Sequence, residues 1–106
     1  MSSGYRRFEI LLPLRFNDGT DVPDSLVGET LAELRLRFGA VSWETQEIKG
    51  QWEHAGEIYL DDLVRVFADV PDEPESREFF VAFKSTLKQR FKQIEIWMTS
   101  YPLDVI

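Results

Sequence analysis

Apolar and polar residues alternate from Phe8 to Leu14: Phe8, Ile10, Leu12 and Leu14 share one face, while Arg7, Glu9, Leu11 and Pro13 share the other. A period of two predicts a β-strand. Pro13 has no N–H to donate, so pairing is expected to end or bulge there. Asn17-Asp18-Gly19-Thr20 is turn chemistry. The period then changes. Val27, Leu31, Leu34 and Phe38 recur at the spacing of one buried helical stripe, predicting a helix from about Pro23 to Phe38. Pro23 suits its first turn and Gly39 its left-handed stop. Gly28 in its interior costs about 1 kcal/mol relative to Ala, which a closely packed neighbouring backbone would explain.

A second strand is expected from Ala40 to about Ile48, extending through Gly50-Gln51-Trp52 with a bulge at Gly50. His54-Ala55-Gly56 reads as a hairpin turn, Glu57–Val70 as a long returning strand, and Pro71 as its end. Asp72 followed by Glu75 matches a capping box. The second helix carries the stripe Phe80, Phe83, Leu87 and Phe91, with acids at its start and Lys88, Arg90 and Lys92 at its end, as the helix dipole favours. Ile94–Tyr101 alternates again and predicts the last strand, followed by a short apolar tail, Pro102–Ile106. The order β-α-β-β-α-β predicts a ferredoxin-like α+β domain spanning residues 1–106. Two helices would pack on one face of a four-stranded antiparallel sheet.

Such a sheet leaves one face free of helices. The smoother apolar sets (Phe8/Ile10/Leu12, Val64/Val66/Ala68, Ile94/Ile96/Met98) should meet the helices. That sends Glu9, Leu11, Tyr59, Leu63, Arg65, Phe67, Glu95, Trp97, Thr99 and Tyr101 to the other side. A wet face is normally mostly polar. Leu11, Leu63, Phe67, Trp97 and Tyr101 on this one are therefore candidate interface residues, since contiguous exposed apolar patches mark binding surfaces. Strand bulges that turn these residues inward, or a tail folded over them, would remove the patch.

Composition narrows the chemistry. The 106 residues include eight Phe, three Trp and three Tyr, which argues against disorder. There is no cysteine, so disulfides, thiolate metal sites and a thiol nucleophile are excluded. Met1-Ser2-Ser3-Gly4-Tyr5-Arg6-Arg7 lacks a leader's apolar core, and no apolar run approaches the roughly 20 residues of a membrane span, so a cytoplasmic location is the expectation. A net charge of −7 makes nucleic acid a disfavoured partner.

No cofactor, metal or catalytic signature is present. His54, the one histidine, sits in a turn between Glu53 and Glu57, where a solvated histidine is ordinary. Asp61 and Asp62 are neighbours on a strand, point to opposite faces and cannot form a carboxylate pair; Asp61 shares a face with Tyr59 and Arg65, and a cross-strand ion pair is the simple expectation. The Asn17–Asp21 loop lacks the distal glutamate of a calcium loop. Lys84, Lys88 and Lys92 form one stripe, most simply the solvated back of the second helix.

Gly50-Gln51-Trp52 with Gly56-Glu57-Ile58-Tyr59, and Lys88-Gln89-Arg90-Phe91 leading to Glu95-Ile96-Trp97, resemble small bacterial proteins of unknown function. The resemblance implies a ferredoxin-like fold and a bacterial origin, and carries no activity.

The primary expectation is a protein-interaction module, self-associating as a homodimer through the helix-free face, with no enzymatic activity assigned. The alternative is a small-molecule binder or enzyme of the dimeric α+β-barrel kind, with Tyr59, Arg65, Trp97 and Tyr101 lining its cavity. A single-stranded nucleic-acid binder is third, opposed by the charge.

Overall fold

The computed structural model describes residues 4–106. The first three residues of the stretch weighed as a leader lie outside them. The elements run β1 (Tyr5–Pro13), α1 (Asp24–Phe38), β2 (Ser42–Trp43), β3 (Ile48–His54), β4 (Glu57–Pro71), α2 (Pro74–Arg90) and β5 (Met98–Leu103). The fold is α+β: two helices and an antiparallel five-stranded sheet in a βαββαβ-like order. The strands lie in the order β2-β4-β1-β5, with β3 also pairing β4.

The core forms where the stripes meet. Phe8, Ile10 and Leu12 of β1 and Val66, Ala68 and Val70 of β4 face the helices. Leu34 of α1 and Phe80, Phe83 and Leu87 of α2 close over them, with Phe91 just beyond. The Phe8 and Phe80 rings stack with centroids 4.0 Å apart. Burying a side chain of this size stabilises the fold by about 1.5–3 kcal/mol. Gly39, at φ 88°, ends α1 as expected, its N–H donating to the Arg35 carbonyl.

A buried polar tie joins the helices. Thr30 Oγ1 donates to the Leu26 carbonyl and accepts from Arg90 Nη1, each at 2.9 Å. Arg90 also reaches Glu33 at 2.8 Å. The α1 stripe therefore contains a threonine that apolar periodicity passes over.

Four expectations need correction. The second strand is broken: Trp43 pairs with Val66 and Ile48 with Leu63, so residues 44–47 stand opposite residues 64 and 65 alone. This two-residue excess bulges out and turns one expected strand into β2 and β3; the bulge is not at Gly50. Asp72 does not cap α2. Its carboxylate accepts from Arg6 Nε at 3.1 Å, and Glu73 holds the cap position with no side-chain bond. The last strand starts four residues late because Ile96 plunges into the core at 2% exposure while Ile94 turns outward. Gly28 has open space around its missing Cβ, so no close backbone explains it.

The β3–β4 hairpin turns tightly at Ala55 and Gly56, both in the left-handed region, with His54 paired to Glu57. That register fixes the alternation along the arm. No helix among the described residues is long and apolar enough to cross a membrane.

Candidate ligand pocket on the helix-free face

The hairpin register puts Trp52 opposite Tyr59, Gly50 opposite Asp61 and Ile48 opposite Leu63. Leu63 in turn pairs with Pro13, and Arg65 with Leu11. Because successive strand residues point to opposite faces, these side chains all lie on the side away from the helices. After Arg90 the chain leaves α2, turns at Lys92 with φ 54°, and runs without regular structure to Trp97. There the Trp97 carbonyl accepts from the Leu11 N–H at 3.0 Å.

The irregular segment and the hairpin face each other across the end of β1, and between them lies a cavity of about 310 Å³. Leu11, Pro13 and Leu63 make its apolar part, Gly50 and Trp52 one wall, and Gln93, Glu95, Ile96 and Trp97 the other, with Asp61 opening into it. The volume is at the small end of ligand pockets, and an apolar lining with few polar groups is their usual character. Gly50 keeps it open: a Cβ there would come within 3.2 Å of Leu63 Cδ1.

Its two carboxylates differ. Asp61 Oδ2 accepts from the Trp52 indole Nε1 at 2.8 Å, and no described cationic side chain is ion-paired with it. Glu95 accepts from Lys84 Nζ at 3.0 Å and from the Ile96 N–H at 3.0 Å. The Lys84 bond above all, helped by the Ile96 N–H, holds its carboxyl below the usual glutamate range against the cost of burial. Glu95 is thus a compensated anion and a poor proton acceptor.

The rest of the face is an ionic lattice. Arg7 bonds Asp69 at 2.7 and 3.0 Å and covers the Phe67 ring at 4.3 Å. Arg65 bonds Glu44 at 2.9 Å and lies 3.9 Å from Glu9, and Tyr101 Oη reaches Glu9 at 3.5 Å. The bond to Glu44 chiefly raises the Arg65 pKa, and that to Asp69 raises that of Arg7.

Of the sequence candidates, the pocket gathers Leu11, Leu63 and Trp97. Phe67 lies beneath Arg7, and Tyr101 stands beside Glu9. Tyr59 stacks behind Trp52 at 4.6 Å, and Arg65 is engaged by the bulge. Neither Tyr59 nor Arg65 lines the cavity that holds Trp97. The cross-strand ion pair expected of Asp61 is absent: its cross-strand partner is the Trp52 indole, while Glu44, presented by the bulge, takes the Arg65 guanidinium. Asp61 and Asp62 do point to opposite faces: Asp62 is held by Arg15 and Lys49 on the far side.

Sequence reasoning missed Trp52, Gly50 and Gln93 as neighbours of this site. Trp52 and Asp61 are nine residues apart across a hairpin, a contact legible once the turn is placed on Ala55-Gly56.

The remaining candidates lie outside this pocket. The Asn17–Asp21 loop is a turn, with Asp18 Oδ1 accepting from the Thr20 N–H and hydroxyl at 2.9 and 2.6 Å. His54 is exposed at the hairpin tip. No cluster of three or more potential metal ligands exists among the described residues. The lysine stripe is not simply a solvated back of α2: Lys84 and Lys88 are half-buried, Lys84 pairs with Glu95, and Lys92 lies over the Phe16 ring at 5.1 Å.

No protein-family model and no curated protein matches the chain. Two solved structures are similar. One is a phage SAM lyase in complex with S-methyl-5'-thioadenosine, 16% identical with a TM-score of 0.69 over 99% of this chain and 93% of that one. The other is a phage SAM lyase in the apo state, 20% identical with a TM-score of 0.64 over 94% and 81%. At these identities the likeness is one of fold. Of the resemblance noted in the sequence, the small α+β fold is the part this supports.

The primary functional expectation is overturned. Both similar structures are of an enzyme, one holding a small molecule. The helix-free face, for its part, carries a cavity and an ionic lattice where a continuous apolar patch was expected. The alternative reading, a small-molecule binder or enzyme, is the better supported.

Proposed function

We propose that this chain is an enzyme acting on a small molecule in the pocket between the β3–β4 hairpin and the 93–97 segment. Its substrate class would be a sulfonium nucleoside such as S-adenosylmethionine, and S-methyl-5'-thioadenosine its product. The fold likeness to a SAM lyase suggests the chemistry. The observation that carries the reading is Asp61, a carboxylate without a cationic partner, in a largely apolar pocket that Trp52 and Trp97 also line.

An anion in apolar surroundings favours a positively charged partner, and indole faces attract cations in the same way. Asp61, aimed by Trp52, holds the positive end of the ligand. Leu11, Leu63 and the Trp97 indole supply flat apolar surface for a nucleobase. Cleavage of the sulfonium carbon–sulfur bond leaves the electron pair on sulfur and abolishes the charge there. The substrate's own carboxylate closes on the carbon that loses sulfur, giving a lactone as the second product. The apolar lining of Leu11, Pro13 and Ile96 favours that loss of charge.

The test is to incubate the protein with S-adenosylmethionine, follow the thioadenosine product by chromatography, and titrate both compounds by calorimetry. Saturable binding with product release is the expected result. No heat with either compound at millimolar concentration, together with no product, overturns the reading.

A further inference from the structure

We infer that Lys84, on α2 and outside the pocket, is a positioning residue for the ligand site, acting through Glu95 to fix the 93–97 wall. As a role in ligand handling, this rests on the function proposed above.

The wall is irregular chain held at two ends. At its start the Gln93 N–H donates to the Lys88 carbonyl at 2.9 Å, and the Gln93 side chain donates to the Phe91 carbonyl at 3.0 Å. At its end Ile96 is buried and the Trp97 carbonyl takes the Leu11 N–H. Between these anchors Ile94 is exposed, and Glu95 makes the remaining side-chain tie. One oxygen, Oε1, accepts from both Lys84 Nζ and the Ile96 N–H. Lys84 therefore grips the carboxylate that in turn orients the backbone between Gln93 and Trp97, the stretch that forms this wall of the cavity.

The charged groups facing Glu95 are Lys84 and Lys88 from α2 and, across the cavity from β4, Asp61. The lysines neutralise Glu95, so selection for a charged ligand falls to Asp61. On this account Glu95 is a structural strut and not a ligand-binding or proton-transferring group.

Three variants test this: Lys84→Met, Lys84→Arg and Glu95→Gln. The Ile96 amide proton shift, followed against pH, reports Glu95 ionisation, and the Trp97 indole resonance reports the order of the wall. Affinity for S-methyl-5'-thioadenosine, uncharged at neutral pH, removes direct attraction by the lysine from the comparison.

In the wild type the Ile96 midpoint should lie below the ordinary glutamate range. Lys84→Met should move it upward, broaden the Trp97 resonance and weaken thioadenosine binding about two- to fivefold, the loss for an ion pair with this much exposure. Lys84→Arg should restore all three, and Glu95→Gln should match Lys84→Met in binding. A Lys84→Met protein with wild-type Ile96 midpoint and Trp97 resonance overturns the inference, whether or not its melting temperature falls. If the wild type binds no thioadenosine the proposed function fails, while the Ile96 and Trp97 resonances still decide whether Lys84 fixes the wall.

Discussion

The indole Nε1 of Trp52 donates to Oδ2 of Asp61 across 2.8 Å, diagonally over the β3–β4 ladder. The bond engages one carboxylate oxygen and leaves the other without a side-chain partner. It also keeps Trp52 stacked on Tyr59. The hairpin register thereby sets both the charge and the shape of one pocket wall.

Asp61→Asn keeps the size of the side chain and removes its charge. It should weaken binding of S-adenosylmethionine about tenfold while changing binding of the neutral thioadenosine little. Trp52→Phe should weaken both, because it frees the carboxylate and removes one edge of the wall, and should cost about 1–2 kcal/mol in stability. Calorimetry and urea unfolding separate these effects. Equal losses for the charged and neutral compounds in Asp61→Asn would contradict the assigned role.

Gly50 leaves the cavity its depth. Gly50→Val would push on Leu63, whose Cδ1 lies 3.2 Å from the position of a Cβ. Thioadenosine binding should fall at least tenfold, with circular dichroism showing an intact fold. Unchanged affinity would place the ligand elsewhere.

Gly28 sits in the interior of α1 with nothing near its Cβ position. Gly28→Ala should therefore raise stability by about 1 kcal/mol, the propensity difference alone. Chemical denaturation of the two proteins measures it directly, and a loss of stability would mean a neighbour occupies that space.

Asp62 accepts from Lys49 and Arg15, and the Lys49 bond first, then the two positive charges, hold its carboxyl below the usual aspartate range. A lowered folded-state pKa gives stability that is present above the unfolded value and is lost as pH falls through the folded one. Lys49→Met should thus be less stable than wild type at pH 6–7. The gap should narrow below about pH 4, where aspartates of the unfolded chain begin to protonate. Thermal melts from pH 2 to 7 follow it; a gap constant with pH would contradict the linkage.

Periodicity made most of the fold legible. The alternation through Phe8, Ile10 and Leu12 and the stripes of Leu34 and of Phe80, Phe83 and Leu87 report burial directly, and burial builds the core. The break between Trp43 and Ile48 was invisible because a two-residue excess leaves the alternation in phase on either side. Ile94, Ile96 and Met98 imitated a strand, although the chain there is crossing from α2 to the sheet and buries Ile96 alone among the first two. The pocket depends on both of these features. Leu11, Leu63 and Trp97 were recognisable as apolar residues on an open face. Trp52 and Asp61 required a register, and the Lys84–Glu95 tie required the path of an irregular segment.

The measurement closest to the central claim is an indole NMR titration with S-methyl-5'-thioadenosine. Trp52 and Trp97 line the cavity, whereas Trp43 pairs with Val66 in β2, away from it. The Trp52 and Trp97 resonances should shift together and saturate, while Trp43 stays in place. Resonances that do not move at millimolar ligand, or a response confined to Trp43, would contradict the assignment of this pocket as the functional site.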